Sequence, residues 1–144
     1  MILTSPDFKD NSPIPVRFTC QGEDVSPDLD IAMVPLEARS LVLIVDDPDA
    51  VGRTWDHWIV YNIPPGITRI KSGTVPGTEA WNSFGRTAWG GPCPLSGTHR
   101  YFFKLYALDE RLDLGLKPRK KEVEVYMVGH ILAEAQLVGL YKKQ

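Results

Sequence analysis

The sequence has no concentrated positive charge and no long apolar run, and each absence narrows the class of protein. Sixteen basic and eighteen acidic residues give a formal charge of −2. The one basic run, Lys117–Lys121, is interrupted by Pro118, so a nucleic-acid partner is not expected. The longest aliphatic run, Leu41–Val45, is too short to span a bilayer. The N-terminus shows no secretory signal, which predicts a soluble, cytoplasmic protein.

Cysteine is also scarce. Cys20 and Cys93 are the only two, and they lie far apart and outside any CxxC pair, which argues against a zinc site or a redox motif. A disulfide between them stays open at this point. No metal or other cofactor is predicted. The 144 residues, 43% of them apolar, are enough for one core, so we expect a single domain over residues 1–144.

Turn-forming residues, in contrast, are frequent. Twelve glycines and twelve prolines cut the chain into short apolar runs, which is typical of a mainly β protein. The segment Gly66–Arg86 is interpreted as a long ordered loop of the kind that often has a function. Strands are predicted near Ile14–Thr19, Asp30–Ala32, Leu41–Asp46, Trp55–Ile63 and His99–Leu108.

The pattern changes after Pro118. Residues with helical spacing follow, and they predict one amphipathic helix, or a helix broken at Gly129, that packs on a sheet. The final segment, from Leu137 to Lys143, is a candidate closing strand. His130 lies on the apolar stripe and is interpreted as structural. The helical stripe consists of Val123, Tyr126, Met127, His130, Ile131 and Glu134.

Polar side chains interrupt the apolar faces of three predicted strands. Because side chains alternate along a strand, Asp47 shares the apolar face of its own strand. The same count places His57 on the face of Ile59, and His99 and Tyr101 together on the apolar face of the third strand. If these faces meet in one core, the four polar side chains converge at its rim.

Such a group of side chains could bind an anion. Two imidazoles beside a carboxylate are expected to have raised pKa values, and with a tyrosine hydroxyl they could hold phosphate, sulfate or a carboxylate. Neighbouring aromatic rings could cover an organic substituent. The loop "WGGPCPLSG" fits this function, since its glycines leave backbone N–H groups approachable and its prolines are rigid.

Other interpretations compete with this one. A single histidine on an apolar face is more often structural than functional, and "DDPDA" could be a turn that ends a strand. Asp47, His57 and His99 match a two-histidine, one-carboxylate iron site by residue type alone. Cys93 or Ser96 could be a nucleophile with His99 as its base, although no hydrolase signature surrounds them.

Four stretches together resemble the phosphatidylethanolamine-binding protein family, and most closely its bacterial and archaeal branch, often labelled Raf-kinase-inhibitor-like. The resemblance covers nearly the whole chain in the same order, and the combination is far more specific than any single stretch. The stretches are "DDPDA" from Asp46, "WDHWIVYNIP" from Trp55, "GGPCPLSGTHRYFFKLYALD" from Gly90 and "GHILAEAQLVGLY" from Gly129.

The resemblance implies a large antiparallel β-sheet packed with a smaller sheet, a C-terminal helix alongside, and a pocket for phosphate-like groups, including phospholipid head groups. It implies a binding protein rather than an enzyme, with phosphate or a phosphoethanolamine-like molecule as its ligand. The ligand-binding positions that it implies are Asp47, Asp49, His57, Gly91, Pro92, His99 and Tyr101.

The chain departs from the family pattern at a few positions. Val51 and Leu95 stand where the family usually has proline, and Asp30–Ile31 replaces an early tryptophan, which puts ligand preference in question more than fold. A second function left open by the resemblance is a protein-interaction module that modulates a protease or a kinase. A homodimer also stays open at this point.

Overall fold

The computed structural model describes all 144 residues and contains nine strands, one α-helix and one 3-10 turn. The helix, α1 (Lys120–Met127), lies between the last two strands, and the 3-10 turn covers Val16–Phe18. The strands are β1 (Ile2–Thr4), β2 (Ser12–Pro13), β3 (Leu29–Ala32), β4 (Ser40–Asp47), β5 (Trp55–Ile63), β6 (Arg69–Ile70), β7 (Thr78–Glu79), β8 (His99–Leu108) and β9 (Ile131–Tyr141).

The strands form two sheets. The larger has the order β2-β9-β8-β4-β5-β7 and the smaller the order β1-β3-β6. Every pairing is antiparallel except the two-residue contact of β2 with β9. The prediction of a mainly β protein with a large sheet, a smaller sheet and a helix near the C-terminus is therefore confirmed. No helix has the length and apolar composition that a membrane span requires.

The central strand β4 is buried on both faces, which explains its continuous apolar run. Leu43 and Val45 face the small sheet and share a core with Ile31. Val42 and Ile44 face the opposite way and belong to a second core with side chains of α1 such as Val123. The molecule thus has three layers: the small sheet, the large sheet and the helix.

A group of buried charges joins α1 to the large sheet. Asp46, which is 2% exposed, lies 3.0 Å from Nζ of Lys104 and 3.4 Å from Nζ of Lys120. Lys120 also lies 2.6 Å from Asp56. Burial opposes protonation of Lys120, but the bond to Asp56 and the two carboxylate charges outweigh it and raise its pKa. These ion pairs fix the ends of β4 and β5 from the helix side.

The strand predicted over Ile14–Thr19 is wrong. The structure has only the two-residue strand β2 before it and the 3-10 turn Val16–Phe18 within it. Pro13 and Pro15 explain the difference, because a proline has no N–H to continue a ladder of hydrogen bonds. In the predicted loop Gly66–Arg86, only β6 and β7 are regular.

Of the two alternatives predicted after Pro118, the continuous helix is wrong, and the break at Gly129 is confirmed, although a strand and not a second helix follows it. The helix ends at Met127, and Gly129 has a φ of +83°, a left-handed conformation that stops the helix. The residues from Ile131 onwards form β9, which pairs with β8 along its whole length. The closing strand that was expected from Leu137 therefore begins six residues earlier, and the chain ends in this strand rather than in the helix.

Candidate functional site

A cavity of about 280 Å³ opens at the end of the large sheet where β4 finishes and β5 and β8 begin. Four of the predicted site residues line it, one or two from each of the three adjacent strands. Its walls are otherwise largely apolar. The lining residues are Asp47, Ala50, Val51, Trp55, His57, Phe84, Cys93, Pro94, Leu95, Ser96, His99 and Tyr101.

Asp47 and His99 form a hydrogen-bonded pair across the cavity floor. The Nδ1–H of His99 donates to Oδ2 of Asp47 at 2.7 Å, and the backbone N–H of Asp49 donates to the other carboxylate oxygen at 2.8 Å. The buried charge of Asp47 is therefore held by two donors. Nε2 of His99 makes no hydrogen bond within the protein, which leaves it free for a ligand.

His57 enters the cavity because of a β-bulge. Val45 pairs with Trp58 and Asp46 pairs with Asp56, so His57 is an extra residue on β5. A bulge redirects the side chain beside it: the ring of His57 lies 5.2 Å from that of Tyr101, whereas Ile59 belongs to the core on the opposite face of the sheet. The expectation that His57 and Ile59 share a face is therefore wrong.

The environment of His57 also differs from the sequence-based expectation. Its Nδ1–H donates to the carbonyl oxygen of Gly90 at 2.5 Å, and the side chain is buried. Burial lowers the pKa of His57 and outweighs the opposing effects of Gly90 and the nearby carboxylates. The predicted raised pKa is wrong for this histidine, because desolvation disfavours the charged ring.

Tyr101 supplies a buried hydroxyl group to the cavity. The residue is 1% exposed, and its hydroxyl makes no hydrogen bond of normal geometry, although the backbone N–H of Cys93 lies close enough to oppose the rise in its pKa. Burial raises the pKa of Tyr101, and the charge of Asp47 adds to this effect, so the hydroxyl keeps its proton. Nearly all buried polar groups in proteins have partners, and the proton of this hydroxyl has no acceptor in the protein.

Three predicted ligand-binding residues do not line the cavity. Asp49 turns outward, where it accepts hydrogen bonds from the backbone N–H, Nε and Nη2 of Arg100 at 2.8–2.9 Å. The bond to Arg100 lowers the pKa of Asp49 to about 2. Gly91 and Pro92 lie behind the cavity wall. The backbone N–H of Gly91 donates to Asp24 at 2.8 Å, and a Cβ there would overlap Asp24 and Phe18.

The wall between Gly90 and Gly97 is fixed by a disulfide. Cys20 and Cys93 are bonded, with their Cα atoms 5.5 Å apart, and the backbone N–H of Cys20 donates to the carbonyl of Pro92 at 3.1 Å. The disulfide therefore links the cavity wall to the turn at the start of the chain. It also removes Cys93 as a candidate nucleophile, since no free thiol remains.

The metal and nucleophile hypotheses receive no geometric support. No group of three His, Cys, Asp or Glu side chains is placed to hold a metal ion, so Asp47, His57 and His99 do not form such a group. Ser96 lines the cavity, but its hydroxyl makes no hydrogen bond with His99, which donates to Asp47 instead.

The cavity has an aromatic wall, of which the sequence predicted Trp55 beside His57 but not Phe84. Trp55 and Phe84 pack edge to face, with ring centroids 5.6 Å apart, and the guanidinium groups of Arg53 and Arg86 lie over these rings at 5.0 Å and 5.6 Å. The cavity mouth therefore combines an apolar surface with positive charge.

Buried Asn82 positions this wall. Its Oδ1 accepts from the backbone N–H groups of Phe84 and Arg86, and its Nδ2 donates to the carbonyls of His57 and Ala88. The only signal in the sequence was that both Asn82 and Phe84 lie in the long segment predicted to be an ordered loop.

Comparison with known proteins agrees with this architecture. Residues 4–142 match the sequence profile described as phosphatidylethanolamine-binding protein. The chain belongs to the phosphatidylethanolamine-binding protein family. Among its relatives are UPF0098 proteins of Methanothermobacter thermautotrophicus, 47% identical with 99% of both chains covered, and of Aquifex aeolicus, 43% identical with 99% of this chain and 89% of the relative covered.

Solved structures of the phosphatidylethanolamine-binding protein family share the whole fold. A family homologue from Chlamydia trachomatis superposes with a TM-score of 0.96 at 40% identity, and 99% of this chain and 97% of that chain are covered. E. coli YbcL, described as a new member of the mammalian phosphatidylethanolamine-binding protein family, gives a TM-score of 0.89 at 28% identity, with 99% of this chain and 98% of that chain covered.

Two departures from the family pattern lie at the cavity mouth. Val51 and Leu95, which replace the usual prolines, both line the cavity, and each is 84% exposed. Because both side chains are apolar and face solvent at the entrance, they extend the apolar rim rather than change the polar floor. The third departure, at Asp30–Ile31, lies on β3 of the small sheet, away from the cavity.

Proposed function

We propose that the protein is a non-catalytic binding protein whose cavity holds a small anion, such as phosphate or a phosphoethanolamine-type head group. The observation that carries this proposal is the convergence of Asp47, His57, His99 and Tyr101 in one cavity from three neighbouring strands. These groups include a free imidazole nitrogen on each histidine and a hydroxyl without a partner.

The surroundings of the cavity support an anionic ligand with an organic part. Oxygens of Asp47 and Asp49 already accept hydrogen bonds from protein donors, which lessens their repulsion of an anion. The arginines over Trp55 and Phe84 bring positive charge to the mouth, where it attracts anions from solution. The apolar wall suits the carbon atoms of a head group.

A non-catalytic function is supported by the bonding of the reactive side chains. Cys93 is in a disulfide, neither histidine is bonded to a hydroxyl group, and no metal-binding group is present. A side chain that activates a nucleophile needs to lie within hydrogen-bond reach of it. No side-chain nucleophile therefore lies beside either histidine, which supports a cavity that holds a ligand.

Isothermal titration with phosphate and with phosphoethanolamine tests this proposal. We expect binding to the unmodified protein and a loss of at least about tenfold in affinity for His99→Ala, because hydrogen bonds to charged groups have energies of that order. The matched control is His130→Ala, since His130 also donates to a carboxylate, Asp109, at 2.8 Å but lies outside the cavity.

Thermal unfolding of each variant shows whether the fold is kept. If phosphate and phosphoethanolamine do not bind, or if His99→Ala and His130→Ala weaken binding equally, the cavity is not the anion site.

A further inference from the structure

Two carboxylates lie opposite each other on the helix side of the large sheet, next to the cavity. Asp46 on β4 and Asp56 on β5 are paired positions of the antiparallel ladder. They are the chain neighbours of Asp47 and His57, which line the cavity. Asp46 is buried and the side chain of Asp56 is 19% exposed. Since like charges at opposed positions destabilise a strand pair, and more so away from water, these carboxylates need a cation between them.

Lys120, the first residue of α1, supplies this cation. Its Nζ lies 2.6 Å from Asp56 and 3.4 Å from Asp46. Lys104 balances the charge of Asp46 a second time, at 3.0 Å, but no basic side chain other than Lys120 lies within ion-pair distance of Asp56. Lys120 is therefore the one charged group that joins the ends of both strands.

The position of Asp56 decides where the ring of His57 points. His57 is the extra residue of the β5 bulge, and it lies between Asp56 and Trp58, the two β5 residues that keep their partners on β4. Trp58 is fixed in the core, where it is 1% exposed. Asp56 lies nearer the end of the ladder, and a bulge disrupts the local hydrogen bonds. The backbone at Asp56 therefore depends on its other contacts.

Asp56 also holds the aromatic wall of the cavity. Its backbone N–H donates to Oγ of Ser83 at 2.8 Å, and its carbonyl oxygen accepts from the backbone N–H of Ser83 at 2.9 Å. Ser83 precedes Phe84, whose ring lines the cavity and lies 5.3 Å from the ring of His57. A shift of Asp56 would therefore move two lining side chains together.

We propose that Lys120 is a positioning residue for the cavity. By balancing the charges of Asp46 and Asp56, it holds the bulge of β5 in place. Through the bulge it sets the positions of His57 and Phe84. Lys120 is not among the lining residues, so its effect on a ligand is indirect. The inference rests on the proposed function where it concerns affinity, and on the protein without ligand where it concerns His57.

The test begins with Lys120→Met, which keeps an aliphatic side chain but removes the charge. Removing one partner of a buried ion pair leaves the other charge uncompensated, so we expect Asp56 to move away from Asp46. In ligand-free protein with 15N-labelled histidine, the ring nitrogen signals of His57 should shift by more than their linewidth. In isothermal titration with inorganic phosphate, the affinity should fall about threefold or more, as expected for a weakened hydrogen bond.

Two further variants show whether charge balance is the cause. Lys120→Met/Asp56→Asn removes the repulsion while keeping the shape of the side chain at position 56, and it leaves the pair of Asp46 with Lys104 intact. This double variant should return the His57 signals and the phosphate affinity to those of the unmodified protein. Lys121→Met is the matched control, since Lys121 is an exposed lysine on the same helix, and it should change neither measurement.

Three results would overturn the inference. The first is an unchanged set of His57 signals in Lys120→Met, and the second is an equal shift in Lys121→Met. The third is a shift that Asp56→Asn does not reverse, because Lys120 would then act by packing and not by charge. If Lys120→Met does not fold, a folded double variant supports the inference, and an unfolded one overturns it.

The two measurements separate this inference from the proposed function. If the unmodified protein does not bind phosphate, the proposed function fails, while the His57 signals of the ligand-free variants still decide whether Lys120 positions the ring. If it binds phosphate, and Lys120→Met shifts the His57 signals without any loss of affinity, the proposed function stands and the role of Lys120 in binding is overturned.

Discussion

The hydroxyl of Tyr101 should have opposite effects on binding and on stability. The group is buried and its proton has no acceptor in the protein, so the substitution removes an unsatisfied donor. We expect Tyr101→Phe to lower phosphate affinity by about tenfold while leaving the free energy of unfolding unchanged or raising it by up to about 1 kcal/mol. Titration calorimetry and urea unfolding measure the two effects.

Tyr106→Phe is a suitable control, since Tyr106 lies on the same strand but faces the helix side of the sheet. The Tyr106 variant should bind phosphate as the unmodified protein does. A Tyr101→Phe protein that binds phosphate normally would show that the hydroxyl does not contact the ligand. Destabilisation by several kcal/mol would show that the hydroxyl has a partner in the folded protein.

At the scale of single residues, the sequence predicted which polar side chains line the cavity better than it predicted the face of the strand on which each one lies. Asp47, His99 and Tyr101 lie on the faces that simple alternation predicts. His57 does not, because the bulge in β5 arises from its pairing with β4, and local sequence carries no signal for that pairing. Gly91 and Pro92 were expected to bind the ligand but lie behind the cavity wall. A sequence motif does not show on which side of a wall its residues lie.

At the scale of elements, the disulfide is the main restraint on the cavity wall. It closes a loop of 73 residues, for which the reduction of unfolded-state entropy predicts a stabilisation of about 4 kcal/mol. We expect the double variant Cys20→Ala/Cys93→Ala to lose most of this stability in urea unfolding. Phosphate affinity should fall as well, because Cys93 lines the cavity.

Mass spectrometry under native conditions, with and without alkylation, should find no free thiol in the unmodified protein. An unchanged urea midpoint in the double variant would mean that the wall is held by other contacts, such as the bond from Gly91 to Asp24. Disulfides persist mainly in oxidising compartments, with hyperthermophile cytoplasm as an exception. The cytoplasmic location therefore stays a prediction, and it depends on whether mass spectrometry finds free thiols.

One strand boundary and one cysteine pairing show why local sequence patterns did not predict every element. The residues from Ile131 to Gln136 fit both a helical stripe and a strand, and the pairing of β9 with β8 decides between them. The pairing of Cys20 with Cys93 likewise depends on the fold, which brings residues far apart in the chain within bonding distance. In both cases the deciding contacts are tertiary.

At the scale of the whole molecule, the sheet order is a property of long-range pairings. β9 lies beside β8, and β8 beside β4, although β5–β7 intervene in the chain between β4 and β8. Spacing and composition predicted a mainly β fold, and strand alternation predicted that the polar side chains of three strands converge at a rim. The two-sheet arrangement came only from the resemblance of the motifs to a family.

The free energy of unfolding should fall at acidic pH because His57 is buried as a neutral ring. Because its pKa is lowered in the folded protein from the ordinary 6.5, the unfolded chain binds a proton below about pH 6.5 that the folded chain does not. The contribution of the neutral ring is fully present above that pH and declines as the pH falls. The slope is at most about 1.4 kcal/mol per pH unit, the value for one proton, and it begins as the pH falls below about 6.5.

Urea unfolding of the unmodified protein and of His57→Asn at a series of pH values isolates this effect, because asparagine does not titrate. The unmodified protein should lose more stability than the variant as the pH falls from about 7 to about 5. His130→Asn, at an exposed histidine paired with Asp109, serves as the matched control and should not flatten the curve. Parallel curves for the unmodified protein and His57→Asn would mean that the ring takes up its proton in the folded state, and Nε2 of His57 would then be a donor rather than an acceptor.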